Sequence, residues 1–143
     1  MATDRKAEVV WHGDLMSGSG TIAQVGSGAF GPLDVSWASR SEEPNGKTSP
    51  EELIAAAWAA CFSMALSHGL AQAGTPPEQL ETSATVTFQP GEGITKGALT
   101  VRATVPGIDA AAFQEAADGA KQNCPVSKAL AGIPEVTLEA TLA

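Results

Sequence analysis

Positive charge, sulfur and histidine are scarce in this chain of 143 residues: eight lysines and arginines face sixteen acids, with two cysteines and two histidines. The formal charge of −8 sets up a field that repels phosphate backbones and anionic bilayers, which argues against nucleic acid and membrane surfaces as partners. Met1 to Glu8 carries charges of both signs and no apolar stretch of the kind that directs export. No apolar run reaches the ~20 residues needed to span a bilayer, so a cytoplasmic protein is expected. No close Cys-x-x-Cys or His-x-x-x-His pair links Cys61, Cys124, His12 and His68, which leaves a metal centre weakly supported. No glycine-rich phosphate loop sits between a strand and a helix, so no nucleotide or other cofactor is expected. There is also no repeat or low-complexity tract. A hydrophobic fraction of 43% with 17% charge suits a globular protein, and the length suits one domain, 1–143.

What is present reads in order along the chain. Ala7 to Met16, Gly20 to Val25 and Phe30 to Trp37 have strand composition, and the glycine-serine clusters between them mark turns of an antiparallel meander. Residues 41 to 48 combine charge, proline and an Asn-Gly step and predict an exposed loop, with no helix before it ends. Ser49 then supplies an N-cap, Pro50 the first helical position, and Glu51 and Glu52 complement the helix dipole. The helix predicted from there to Gly74 has almost no polar face, so it needs burial all round. A chain this small cannot do that alone, and a homodimer is expected, with Ala56, Ala59 and Ala60 allowing close approach. Two alternating stretches, Leu80 to Gln89 and Ile94 to Val105, flank a Gly91-Glu92-Gly93 turn as a hairpin. Ile108 and Phe113 bracket an Asp109 cap as a hydrophobic staple for a helix to about Gln122. A short helix from Pro125 and a strand from Val136 to Leu142 complete an α+β chain, antiparallel sheets packed on buried helices.

The two cysteines stand in different settings. Cys61 lies mid-helix in apolar company, where desolvation raises a thiol's pKa unless a cation compensates, and its own helix dipole is too far away to help. Cys124 precedes Pro125 and takes the cap position, where backbone N–H groups favour a thiolate. Thiol exchange between them and a plain core-plus-cap role both fit these settings. His68 follows Cys61 by seven residues, ~10 Å along the axis, too far to be its base. His12 could approach only through the fold, so a Cys-His hydrolase is poorly supported and both histidines read as structural or surface groups.

Ser49-Pro50-Glu51-Glu52-Leu53-Ile54 through Cys61-Phe62-Ser63-Met64-Ala65-Leu66 resembles the central segment of the OsmC/Ohr family of thiol-dependent hydroperoxide reductases. The resemblance continues through Val105-Pro106-Gly107-Ile108-Asp109 and Asn123-Cys124-Pro125-Val126-Ser127-Lys128, and through Trp11-His12-Gly13-Asp14. Val126 is closer to the OsmC branch than to the Ohr branch, where tyrosine is expected. The resemblance implies an OsmC-like fold, sheets wrapped around long central helices in an intertwined homodimer. It further implies Cys61 as peroxidatic nucleophile, Cys124 as resolving cysteine, and Arg40 and Glu51 as the polar partners of the thiolate. Arg40 would supply the cation that Cys61 needs. Ten residues of helix rise put Glu51 ~15 Å from Cys61 along the axis, so a site containing both draws Glu51, with Arg40, from the second subunit. The implied substrates are organic hydroperoxides, with apolar neighbours such as Phe62, Met64, Leu66, Phe30 or Trp37 lining the pocket. The implied reductant is an external dithiol, of lipoyl type rather than thioredoxin. The rival expectation is a non-enzymatic dimer holding an apolar ligand between its subunits.

Overall fold

The computed structural model describes residues 1–143 and divides into two compact units, Met1–Leu53 and Ile54–Ala143. In the first unit β1 (Ala7–His12), β2 (Ser19–Val25) and β3 (Leu33–Val35) form an antiparallel meander in the order β1-β2-β3. The turn after β1 is closed by Asp14, whose carboxylate accepts from the backbone N–H and the hydroxyl of Ser17, both at 2.7 Å. This small sheet leaves Val9, Val10 and Trp11 exposed.

The third strand is shorter than its composition suggests, and a helix, α1 (Trp37–Ser41), follows it at once. The expectation of no helix ahead of the 41–48 loop is therefore corrected. A reciprocal capping box causes it: Ser36 accepts from the Ser39 N–H, and Ser39 accepts from the Ser36 N–H. Serine in place of the usual Glu or Gln at the third helical position hides this motif in the sequence. Pro44, Asn45, Gly46 and Lys47 make the expected turn, with Asn45 and Gly46 at positive φ and the Lys47 N–H donating to Pro44 at 3.0 Å. Ser49 caps α2 (Pro50–Gln72), its hydroxyl accepting from the Glu52 N–H at 3.2 Å.

The second unit is built on α2. Trp58, Phe62, Leu66 and Leu70, spaced by four, form one stripe with almost no exposure. They share a core with Leu99, Val101 and Ala103, with Phe113, Ala117 and Ala120, and with Cys124. Elsewhere on the helix Ala56, Ala57, Ala60 and His68 are exposed and Met64 is 72% exposed, so a single chain buries one stripe and not the whole circumference. By length and composition alone α2 is apolar enough to cross a membrane, contrary to the run-length reading. Its stripe is instead spent on this core.

The hairpin β4 (Gln79–Gln89) and β5 (Gly93–Thr104) is antiparallel as expected, with Leu80, Thr82, Ala84, Val86 and Phe88 on its inner face. The last strand, β6 (Glu135–Leu142), joins the other edge of β5 in parallel, a pairing that the alternation within strands does not reveal. Parallel neighbours need a long crossover, here supplied by α3 (Ala110–Asn123) and α4 (Pro125–Ala129). Asp109 caps α3 by accepting from the Ala112 N–H at 2.8 Å, and Ile108 and Phe113 both pack on the core, as a staple requires. The result is α+β with two three-stranded sheets.

Candidate active site

Two polar pairs assemble from the four residues singled out in the sequence, one in each unit. In the second unit α2 carries Cys61 and the α3–α4 junction carries Cys124; both are free thiols, and each perturbs the titration of the other. Cys124 is 0% exposed, whereas Cys61 is only partly buried. Burial pushes the Cys61 thiol above the ordinary range, and its bond to Cys124 pushes the same way. Burial also works against a Cys124 thiolate, but hydrogen bonds from Cys61 and from Ser127 outweigh it and hold Cys124 below the ordinary range. Val126 adds its backbone N–H, although no regular capping bond to the sulfur closes. The two thiols are therefore pushed in opposite directions, each in part by the other.

The first unit holds the other pair. The last turn of α1 presents Arg40 to Glu51 in the first turn of α2. Arg40 Nη2 donates to Glu51 Oε1 at 2.8 Å, and Nε reaches both carboxylate oxygens at 3.1 and 3.2 Å. The Glu51 side chain is 7% exposed and that of Arg40 31%. The capping box, with a bond from the Ser39 hydroxyl to the Thr48 carbonyl, fixes the short helix that aims the guanidinium. A planar fork meeting one carboxylate along its edge positions a charge that a lysine could not position as well.

Two of the residues expected to line a substrate pocket lie elsewhere. Phe62 and Leu66 are fully buried in the core, so neither lines a pocket. A groove of about 730 Å³ lies between α2 and α3, with Ala65, His68, Ile108 and Ala116 among its walls, and neither cysteine touches it. His12 and His68 join no cluster of metal-ligating side chains. Ser127 went unnoticed in the sequence although it interacts with Cys124; its place three residues after a capping cysteine was the available signal.

Residues 43–139 match the family model described as OsmC-like protein. Peroxiredoxin OsmC of Escherichia coli (strain K12) is 42% identical over 142 residues, covering 97% of this chain and 96% of that one. The chain belongs to the OsmC/Ohr family. A second relative, organic hydroperoxide resistance protein OhrB of Bacillus subtilis (strain 168), is 30% identical over 108 residues, 75% of this chain and 79% of the relative. Among solved structures, that of Bacillus subtilis OhrB aligns with a TM-score of 0.65 at 25% identity, covering 96% of this chain and 98% of that one. An OsmC-like protein from Mycoplasma pneumoniae aligns at 0.70 over 99% of both chains with 18% identity, a likeness of fold.

Proposed function

We propose that this OsmC/Ohr protein is a cysteine-based peroxidase that reduces organic hydroperoxides to alcohols in oxidative or osmotic stress defence. The observation that carries the reading is a partly buried Cys61 paired with a wholly buried Cys124, two free thiols that perturb each other's titration. The names of its relatives, a peroxiredoxin and organic hydroperoxide resistance proteins, support the same chemistry.

Catalysis starts when the Cys61 thiolate attacks the outer peroxide oxygen. The O–O bond breaks, the alkoxide takes a proton and leaves as an alcohol, and Cys61 becomes a sulfenic acid. The Cys124 thiolate then attacks the Cys61 sulfur, the S–O bond breaks, hydroxide leaves to become water, and a disulfide forms. An external dithiol, lipoyl-type in our reading, reduces that disulfide by exchange and is itself oxidised. Burial disfavours the first thiolate, so a cation has to come to it. Arg40, oriented by Glu51, is the cation of this mechanism. Glu51 and Cys61 share one unbroken helix with ~15 Å of rise between them, and we assign the Arg40–Glu51 pair at each sulfur to the partner subunit of a homodimer. The exposed apolar residues of α2, Met64 foremost, are what a second copy would cover. Organic hydroperoxides are preferred over hydrogen peroxide, since each buried methylene adds about 0.8 kcal/mol. The single domain is cytoplasmic and uses no cofactor.

Cumene hydroperoxide consumption with a dithiol tests the reading. Cys61→Ser should be inactive, while Cys124→Ser should consume about one equivalent and then stall or over-oxidise. Full turnover by both variants would remove the two-cysteine mechanism, and no turnover by the wild type would leave the apolar ligand-binding dimer.

A further inference from the structure

We infer that Ser127, held by the buried indole of Trp58, is a positioning residue that makes Cys124 the attacking thiolate in disulfide closure. The inference rests on the reading of Cys124 as the resolving cysteine. Its basis is a hydrogen-bond count. Trp58 is 1% exposed, and its Nε1–H donates to Ser127 Oγ at 2.8 Å. An indole nitrogen donates only, so Ser127 cannot return its own proton to Trp58. That proton has a taker close by, because Ser127 stands three residues after Cys124, the residue that begins its helix, the spacing at which a side chain reaches back to the cap, and Ser127 is among the groups that hold the Cys124 thiol low. The order is then Trp58 N–H to Ser127 oxygen, and Ser127 O–H to the Cys124 sulfur.

The indole is itself pinned. A Cβ at Gly97 would stand 2.7 Å from Trp58 Cζ3 and 2.9 Å from Cη2, so glycine on β5 is what lets the ring lie where it does. Trp58 precedes Cys61 by three residues on α2, and Ser127 follows Cys124 by three on α4. One bond therefore ties the two cysteine-bearing elements about a turn from each sulfur. A hydroxyl already accepting from an indole is a stronger donor than a free one. Directed at sulfur, it stabilises the thiolate and not the thiol. A lower thiol pKa gives more thiolate at neutral pH, while intrinsic nucleophilicity falls by only about 0.4 to 0.5 of that logarithmic gain. The net effect is faster closure at neutral pH and a penalty at high pH.

The experiment is a thiolate titration by ultraviolet absorbance on the full chain carrying Cys61→Ala, which leaves Cys124 as the single thiol. Adding Ser127→Ala should raise the midpoint by about one pH unit, and Ser127→Thr should bring it back towards the parent. Trp58→Phe should raise it by about half a unit, because the hydroxyl loses its donor. A Ser127→Ala midpoint equal to the parent's overturns the inference, and Ser127→Ala is small enough to judge it even where Trp58→Phe fails to fold. With Cys61 restored, disulfide closure after one equivalent of cumene hydroperoxide should be about threefold slower in Ser127→Ala at neutral pH. That deficit should vanish and reverse above both midpoints, whereas a slowing equal at every pH means that Ser127 is only a structural tie. A protein that takes up no peroxide refutes the peroxidase reading, and the titration still decides on Ser127.

Discussion

Two variants, each inactive alone, should restore activity when combined if the reaction site is shared between subunits. Cys61→Ser removes the sulfur and leaves the Arg40–Glu51 fork intact, whereas Arg40→Met removes the fork's cation and leaves both sulfurs. In a mixed dimer the arginine of the first variant faces the sulfur of the second, which rebuilds one complete site, and the other site lacks both. Random pairing at equal concentrations makes half of all dimers mixed, with one working site in two, so the mixture should recover about a quarter of wild-type activity per subunit. The contributions separate cleanly because Arg40 Nε and Nη2 are spent on Glu51, ten residues of helix before Cys61, and that pair supplies no sulfur chemistry of its own. The assay is cumene hydroperoxide consumption with excess dithiol after the variants are unfolded and refolded together. Mixed dimers isolated through two different affinity tags should reach about half of the wild-type rate. No recovery in such isolated dimers would refute the shared site, and so would near wild-type activity of Arg40→Met alone.

Removing Arg40 leaves a carboxylate in a site where its side chain is 7% exposed, so Arg40→Met should cost about 2 kcal/mol by urea unfolding, a figure reduced for the partial exposure of the arginine. Adding Glu51→Gln to Arg40→Met should recover about 1 kcal/mol, and strict additivity of the two single changes would show that the fork is energetically idle. Phe62→Ala should cost about 3 to 5 kcal/mol in the same assay, because Phe62 is fully buried at the centre of the α2 stripe; a loss under 1 kcal/mol would contradict that packing. The two cysteine variants should respond oppositely to pH under reducing conditions. In Cys124→Ser the remaining Cys61 has a thiol raised by burial, so stability is full below the ordinary thiol pKa and declines as pH rises through the folded value. In Cys61→Ser the remaining Cys124 is held low by Ser127 and by the hydroxyl put in place of Cys61, so stability is full above the ordinary value and declines as pH falls through the folded one. Unfolding free energies with parallel pH dependences from about pH 7 to about pH 11 would contradict these opposite directions.

Where the chain turns was largely legible because the signals are local. Ser49-Pro50, Ile108-Asp109 with Phe113, and Cys124-Pro125 each start a helix by contacts within a few residues, and each start is where the sequence places it. The Ser36–Ser39 box escaped because two serines are common in loops, and only their reciprocal bonds reveal α1. The parallel placement of β6 escaped for a different reason: alternation along a strand reports which face is buried and says nothing about which neighbour it pairs with. On α2 apolar residues on every side left no moment from which to choose the buried stripe, and packing against β5 and α3 made that choice.

The same division runs through the site. Desolvation of Cys61 follows from its apolar neighbours in sequence, and its raised pKa could be argued from them. The mutual perturbation of Cys61 and Cys124 could not, since nothing local connects residues on separate helices; the family resemblance stood in for the missing long-range information. The bond from Trp58 to Ser127 had no such substitute. Its partners are far apart in sequence, and tryptophan in an apolar helix reads as core while serine after Cys-Pro reads as a helix residue. Their connection becomes visible only when the buried indole is asked where its one proton goes. That question supplies a cause for the low Cys124 pKa which is independent of Cys61. It therefore separates two sulfurs that the sequence could rank only by helix position.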